Sequence, residues 1–189
     1  MTTFRRDGDR VVVQFDEMEA SLLRHLVSEV SDLLEPEPAG TGPNDPGGPG
    51  GSDEPDDPLA GLDLDGSAAE PPADPVLARL LPDGYRDDAD AAREFRRLTE
   101  SELRRQKREG AGRLLAELPA GGGEVRLDPE TIERWLGTLN DVRLALGTRL
   151  EVTEDLAEPA EDDPDAPAYL VYDWLTHLQD VLVQVAMEG

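Results

Sequence analysis

Few side chains in this sequence could carry chemistry. Histidine occurs twice, as His25 and His177, and each falls at the margin of an apolar stripe. An imidazole there packs unless a second titratable group stands within reach. No His-x-x-x-His or Ser-His-Asp arrangement can be read locally. Cysteine is absent, which removes disulfides, zinc ribbons, iron–sulfur ligation, thiol nucleophiles and any thiol redox switch. Asp63-Leu64-Asp65-Gly66 hints at a calcium loop. Placing Gly66 at the invariant glycine, however, puts Gly61 first and Pro72 where a bidentate Glu is needed. Gly121-Gly122-Gly123 lacks the phosphate-cradling glycine spacing and a Walker lysine, and reads as a turn. The sequence therefore predicts no catalytic residue, no metal site and no cofactor.

The arginines are the strongest concentration of one chemistry. Half of the 18 basic residues lie between Arg86 and Arg113: Arg86, Arg93, Arg96, Arg97, Arg104, Arg105, Lys107, Arg108 and Arg113. On one straight helix Arg93, Arg97, Arg104 and Arg108 would fall within about 60° of each other, a stripe suited to tracking phosphates. Against that stand seven carboxylates in the same stretch, Asp87, Asp88, Asp90, Glu94, Glu100, Glu102 and Glu109. Thr99 with Glu102 also resembles a capping box that would break the helix and split the stripe. Further on, Arg143 sits in an apolar stripe between Leu139 and Leu146, where it needs a carboxylate or carbonyl partner. Arg149 is a weaker case. Arg93, Arg97, Arg104, Arg105, Arg108, Arg143 and Arg149 are the candidate partner-binding residues.

The elements that must position them follow from periodicity and caps. Phe4 to Arg6 and Arg10 to Phe15 flank Asp7-Gly8, which predicts a β-hairpin with a type I′ turn. Asp16 and Glu19 form a capping box for a helix whose stripe is Met18, Leu22, Leu26, Val30 and Leu33, widened by Leu23, Val27 and Leu34. A short helical turn over Val76 to Leu81 precedes a charged helix from Asp87 that carries Phe95 and Leu98, then a new one through Leu103 toward Leu118. Glu124 to Leu127 predicts a strand that could join the hairpin. Asp128-Pro129 is a good N-cap and N1 pair for a helix through Ile132, Trp135, Leu136, Leu139, Val142 and Leu146, closed by Gly147. A last helix runs from Ala168 to about Met187, with Leu170, Trp174, Leu178, Val181 and Val185 on one face.

Net charge is −25, from 43 acids and 18 bases. Two segments without a base account for most of it. Pro36 to Pro75 holds ten carboxylates, ten prolines and eight glycines, and Glu151 to Pro167 holds eight carboxylates. Neither can bury enough apolar surface to offset the entropy of ordering it. Removing both leaves 25 acids against 18 bases, about −7 and ordinary for a small domain. So acidic a chain offers little phosphate neutralisation, and its tethered polyanions compete for the arginines, so DNA contact is expected to be weak or masked. No stretch approaches a signal peptide or a membrane span. That predicts a cytoplasmic chain without membrane contact.

Three stretches taken together are more specific than any single motif: Phe4-Arg5-Arg6-Asp7-Gly8-Asp9-Arg10-Val11-Val12-Val13, Glu94-Phe95-Arg96-Arg97-Leu98-Thr99, and Leu139-Asn140-Asp141-Val142-Arg143-Leu144-Ala145-Leu146-Gly147-Thr148-Arg149-Leu150. In these the chain resembles the actinobacterial oxidative-stress transcriptional regulator family (AosR type), formerly a domain of unknown function. The likeness spans both ends and the middle and leaves out the acidic segments. It implies a cytoplasmic, non-enzymatic regulator acting on DNA or with the transcription apparatus. Thiol sensing is excluded for this chain, and Met18, in an expected core stripe, is a poor substitute for it.

The expected fold is α+β and predominantly α-helical, an N-terminal β-hairpin plus a helical core packed around Trp135 and Trp174, with disordered acidic linkers. Residues 1–35 supply the hairpin and first helix, 36–75 a linker, 76–150 the helical core with a short strand, 151–167 an acidic loop and 168–189 the last core helix. The function expected is transcriptional regulation through protein contacts with the transcription machinery. The alternative is an acidic adaptor module unrelated to promoters.

Overall fold

The computed structural model describes residues 2–36, 71–85, 87–153 and 163–187. The fold is α+β and mostly helical. The expected linker 36–75 and acidic loop 151–167 lie largely outside the described residues, as does the Asp63 to Gly66 loop.

Strands β1 (Thr3–Asp7) and β2 (Arg10–Phe15) form the hairpin, with Asp7 opposite Arg10. The two-residue loop is thus Gly8-Asp9. Only Gly8 has positive φ, 68°, the pattern of a type II′ turn, whose first central residue is glycine, rather than the expected type I′. Strand β3 (Gly123–Leu127) pairs antiparallel with β2, giving the sheet order β1-β2-β3. Alternation sends Val11, Val13, Phe15, Val125 and Leu127 into the core. The turn before β3 needs glycine at Gly122: its φ is 77°, and a Cβ there would stand 2.7 Å from the Asp16 carbonyl carbon.

Helix α1 (Glu17–Leu33) has the full capping box at Asp16 and Glu19. Its buried stripe is Ala20, Leu23, Val27 and Val30, with Leu34 beyond. The expected frame was turned by part of a helical turn. Met18 is 80% exposed, because the three- and four-residue steps that face the core start at Ala20, leaving Met18 and Leu22 on the flank. The objection that burial shields the Met18 thioether therefore does not hold.

Helix α2 (Pro75–Leu80), capped by Asp74, packs on α4. Helix α3 (Ala89–Glu117) is continuous for 29 residues, about 44 Å, with Asp88 as N-cap. The expected break at Thr99 does not occur. The Thr99 hydroxyl donates to the Phe95 carbonyl one turn back, and Glu102 takes hydrogen bonds from Arg105 and Gln106 instead of capping. Helix α4 (Pro129–Arg149) starts at the expected Asp128-Pro129 pair but runs through Gly147. That glycine does not close the helix; it gives room to Tyr172, whose ring would lie 3.0 Å from an added Cβ. Helix α5 (Ala166–Met187) lies against α4. Its buried residues are Leu175, Leu178, Gln179 and Leu182, whereas Leu170, expected in the stripe, is 71% exposed. The core frame of α5 is shifted one residue from Trp174 to Leu175.

Trp135 is fully buried and stacks on Phe15 with ring centroids 6.1 Å apart, joining α4 to the sheet. Its Nε1–H donates to Glu117 at 2.6 Å. Arg24 of α1 donates to the Leu115 and Leu118 carbonyls, which caps the C-terminus of α3 with a cation. Lys107 reaches Asp141 of α4 at 2.6 Å. The C-terminal half of α3 is thus clamped between α1 and α4. Trp174, only half-buried, donates to the Thr2 hydroxyl.

Candidate functional site

The continuous α3 brings Arg93, Arg97, Arg104 and Arg108 onto one side, as an unbroken helix requires. It also supplies three of them with an acid. Arg93 pairs with Asp90, Arg97 with Glu94 at 2.7 Å, Arg104 with Glu100 at 2.7 Å, and Arg105 with both Glu102 and Glu109. These are three- and four-residue spacings, the pairs that face each other on a helix. Arg108 instead reaches Glu35, beyond the end of α1, at 2.8 Å. The Glu94 and Glu102 carboxyls are held below the usual carboxylate range by hydrogen bonds from Arg97 and from Arg105 with Gln106, and the same pairs push Arg97 and Arg105 upward. A phosphate would have to displace these carboxylates from arginines that already hold a charged partner.

Arg96 was not among the candidates, and it organises the region. It is buried, donating to the Leu81 carbonyl at 3.3 Å, to Asp83 at 2.5 Å and to Glu100 at 3.0 Å. Burial works against its charge, but the hydrogen bonds to Asp83 and Glu100 outweigh this and hold the guanidinium firmly protonated. Glu100, shared with Arg104, extends the network along the helix. The Arg96 clamp fixes the segment after α2 against α3. No local signal in the sequence marks it, because Leu81 and Asp83 lie 15 and 13 residues away.

On the outward side of the same stretch lie Phe95 and Leu98, 42% and 62% exposed. Tyr85, 52% exposed, meets the Phe95 ring edge-on at 5.9 Å. Periodicity had placed Phe95 and Leu98 on this helix without telling which way they face.

Arg143 is half-buried and makes no hydrogen bond or ion pair with the described residues. The buried ion pair expected of it is absent among them, because the apolar stripe of α4 runs through Leu139, Val142 and Ala145 and leaves Arg143 on its edge. Arg149 is exposed and faces Glu29 of α1 at 3.5 Å. Arg143 and Arg149 stand on α4, separate from the α3 array. His25 and His177 are both exposed, on α1 and α5; His25 lies 3.8 Å from Glu29. Among the described residues no group of three or more His, Asp or Glu side chains is placed to hold a metal ion, and no helix is long and apolar enough to cross a membrane.

No solved structure matches the chain. It is 35% identical over 196 residues to proteins named "Oxidative stress regulator AosR" in Mycobacterium bovis and Mycobacterium tuberculosis, an alignment covering 96% of this chain and 84% of theirs. A Mycobacterium leprae protein named "Putative oxidative stress regulator AosR" is 34% identical over 188 residues, 89% of this chain and 79% of its own. The family model described as a domain of unknown function, DUF2017, matches residues 1–186, and on that extent the chain belongs to the DUF2017 family, of the AosR type.

Proposed function

We propose that this protein regulates transcription in the response to oxidative stress, without catalysis, by contacting protein components of the transcription machinery in the cytoplasm. The names of its relatives supply the regulatory class. The observation that carries the choice of protein over DNA is the pairing of Arg93, Arg97, Arg104, Arg105 and Arg108, each with a carboxylate of its own chain. DNA affinity grows with each phosphate neutralised, and arginines already neutralised on a −25 chain contribute little to it. Arg143, half-buried and without a partner among the described residues, is the arginine best placed to take a carboxylate from another protein. With no cysteine in the chain, the oxidant is read elsewhere or through another group.

The test is fluorescence anisotropy of labelled promoter and random duplex DNA against the full chain and a version lacking residues 36–75, at low and near-physiological salt. Neither form is expected to bind at the higher salt, while transcription in vitro by purified RNA polymerase holoenzyme should change on adding the protein. Tight DNA binding that disappears on reversing Arg93, Arg97, Arg104 and Arg108 to Glu would overturn the proposal.

A further inference from the structure

The sheet ends on a strand whose free edge is complementary to itself. Strand β3 stands last in the order β1-β2-β3, and among the described residues β2 is the only strand beside it. Which of its backbone groups are free follows from the hairpin. Asp7 and Arg10 close a two-residue loop as a hydrogen-bonded pair, and such pairs alternate along antiparallel strands. Arg10, Val12 and Gln14 therefore turn their N–H and C=O groups toward β1, and Val11, Val13 and Phe15 turn theirs toward β3. The partners of these last three are Leu127, Val125 and Gly123. The N–H and C=O groups of Glu124 and Arg126 are left pointing out along the open edge. Pairing with β2 is unbroken from Gly123 to Leu127, with no bulge or proline to blunt that edge.

An antiparallel copy of β3 fits this edge in one register. With Val125 opposite its own copy, Glu124 lies opposite Arg126 of the second copy, and Arg126 opposite Glu124 of the second copy. Both are pairs whose backbone groups face each other, each exchanging its N–H···O=C bonds. On the outer face of the sheet both also set opposite charges across from one another, the favourable cross-strand arrangement. A slip of two residues puts Glu124 against Glu124 or Arg126 against Arg126, and a slip of one opposes groups that face away. Within the chain Glu124 stands 3.5 Å from Arg5 and 3.7 Å from Arg126, both longer than a hydrogen bond, and all three side chains are about half exposed. Other occupants fit less well. Strand β1 against its own copy, in the register that joins its outward Phe4 and Arg6, sets Arg5 against Arg5. Strand β1 on β3 of the next copy would grow an open chain instead of closing, and the stretch Pro36 to Pro75 has ten prolines with no N–H to give. We infer that two copies of this chain pair through β3, antiparallel about Val125, into a symmetric dimer with one continuous sheet. The pairing needs neither a partner protein nor DNA.

The experiment is sedimentation velocity on the full chain, from low micromolar to near-millimolar concentration at near-physiological salt. The wild type should pass from monomer to dimer, and so short an edge predicts that it does so toward the upper end of that range. Arg126→Pro keeps the ladder to β2, since the N–H that it removes points outward, and should weaken the dimer at least about tenfold, because the bond is lost from both copies. Glu124→Arg sets arginine opposite arginine and Arg126→Glu sets glutamate opposite glutamate, so each alone should weaken the dimer at least about tenfold. Mixed together, the two reversed chains regain opposite charges at both pairs and should form a heterodimer within about threefold of the wild-type affinity. Circular dichroism checks that each variant keeps the fold. A wild type that stays monomeric at the highest concentration overturns the pairing. So does a dimer that neither the proline nor the charge reversals weaken, and so do reversed chains that stay apart when mixed.

Discussion

The two halves of α3 are built from similar residues and do different things. From Arg104 onward the helix buries Ala111 and Leu114, reaches α4 through Lys107 and α1 through Arg108 and Arg24, and ends on the Trp135 hydrogen bond to Glu117. Before Arg104 it buries Ala92 and Arg96, and turns Phe95 and Leu98 to solvent. Charge content alone does not separate them. Both halves hold pairs within the helix, Arg93 and Arg97 in one and Arg104 and Arg105 in the other; the difference lies in the leucine that the C-terminal half buries and in Lys107 and Arg108, whose acids stand outside α3 and build tertiary structure.

Truncation should show this contrast most strongly in the C-terminal half. Trp135→Ala or Leu114→Ala removes a fully buried side chain from the junction of α3, α4 and the sheet, and should cost about 3–5 and about 2–5 kcal/mol respectively by urea unfolding. In the N-terminal half the corresponding structural residue is the cation. Arg96→Met leaves Asp83 half-exposed and Glu100 still paired to Arg104, so a loss of about 2 kcal/mol is expected, less than for a fully enclosed pair. Arg97→Ala, removing a surface pair in which Arg97 is part-exposed and Glu94 exposed, should not move the urea midpoint measurably.

A pH series sharpens the same comparison. Burial pushes the Asp141 carboxyl up, with Lys107 pulling it back in part. A carboxyl raised in the folded state binds more protons there than when unfolded, so between its ordinary value and the raised one its contribution to stability falls as pH rises. Asp16 and Asp128 are lowered, by hydrogen bonds that include the backbone N–H groups of the helices they cap. Their contribution is present above the ordinary carboxylate range and is lost as pH falls through the lowered values. Asp141→Asn should therefore lose stability more steeply on acidification than the wild type, once measured as midpoint differences from about pH 6 to about pH 3. A parallel pair of curves would mean that Asp141 keeps an ordinary pKa.

The smallest effect belongs to the exposed face. Leu98→Ser, at a side chain 62% exposed, should change stability by less than about 0.5 kcal/mol. Were it to destabilise the chain as Leu114→Ala does, Leu98 would be a core residue and the contrast between the halves would collapse.

Much of the fold was legible because local chemistry determined it. The Asp16–Glu19 box and the Asp128-Pro129 start are decided within a few residues, as is a hairpin turn at Gly8, though not its type. So are the pairs Glu94–Arg97, Glu100–Arg104 and Glu102–Arg105, whose three- and four-residue spacing stands in the sequence. What could not be read was rotation. In α1 and α5 apolar residues occupy more than one side, and the choice of Leu23 over Leu22, or Leu175 over Leu170, is made by the surface each helix meets. Arg108 with Glu35 and Arg96 with Asp83 belong to the same class. Their partners are chosen by helix crossings and by the return of the chain after α2, and the expected break at Thr99 failed because a hydroxyl can bond within a helix as easily as end one.

The hydrogen bond from Trp174 to Thr2 spans 172 residues, and the central strand of the sheet waits from Phe15 to Gly123 for its second neighbour. A ribosome delivering this chain therefore releases the hairpin and α1 long before β3 exists to complete the sheet, and α5, the cover for α4, emerges after all the other described elements. Premature termination anywhere before α5 leaves the α4 surface that α5 covers open, so truncated products should be recognised by chaperones and proteases as unfinished.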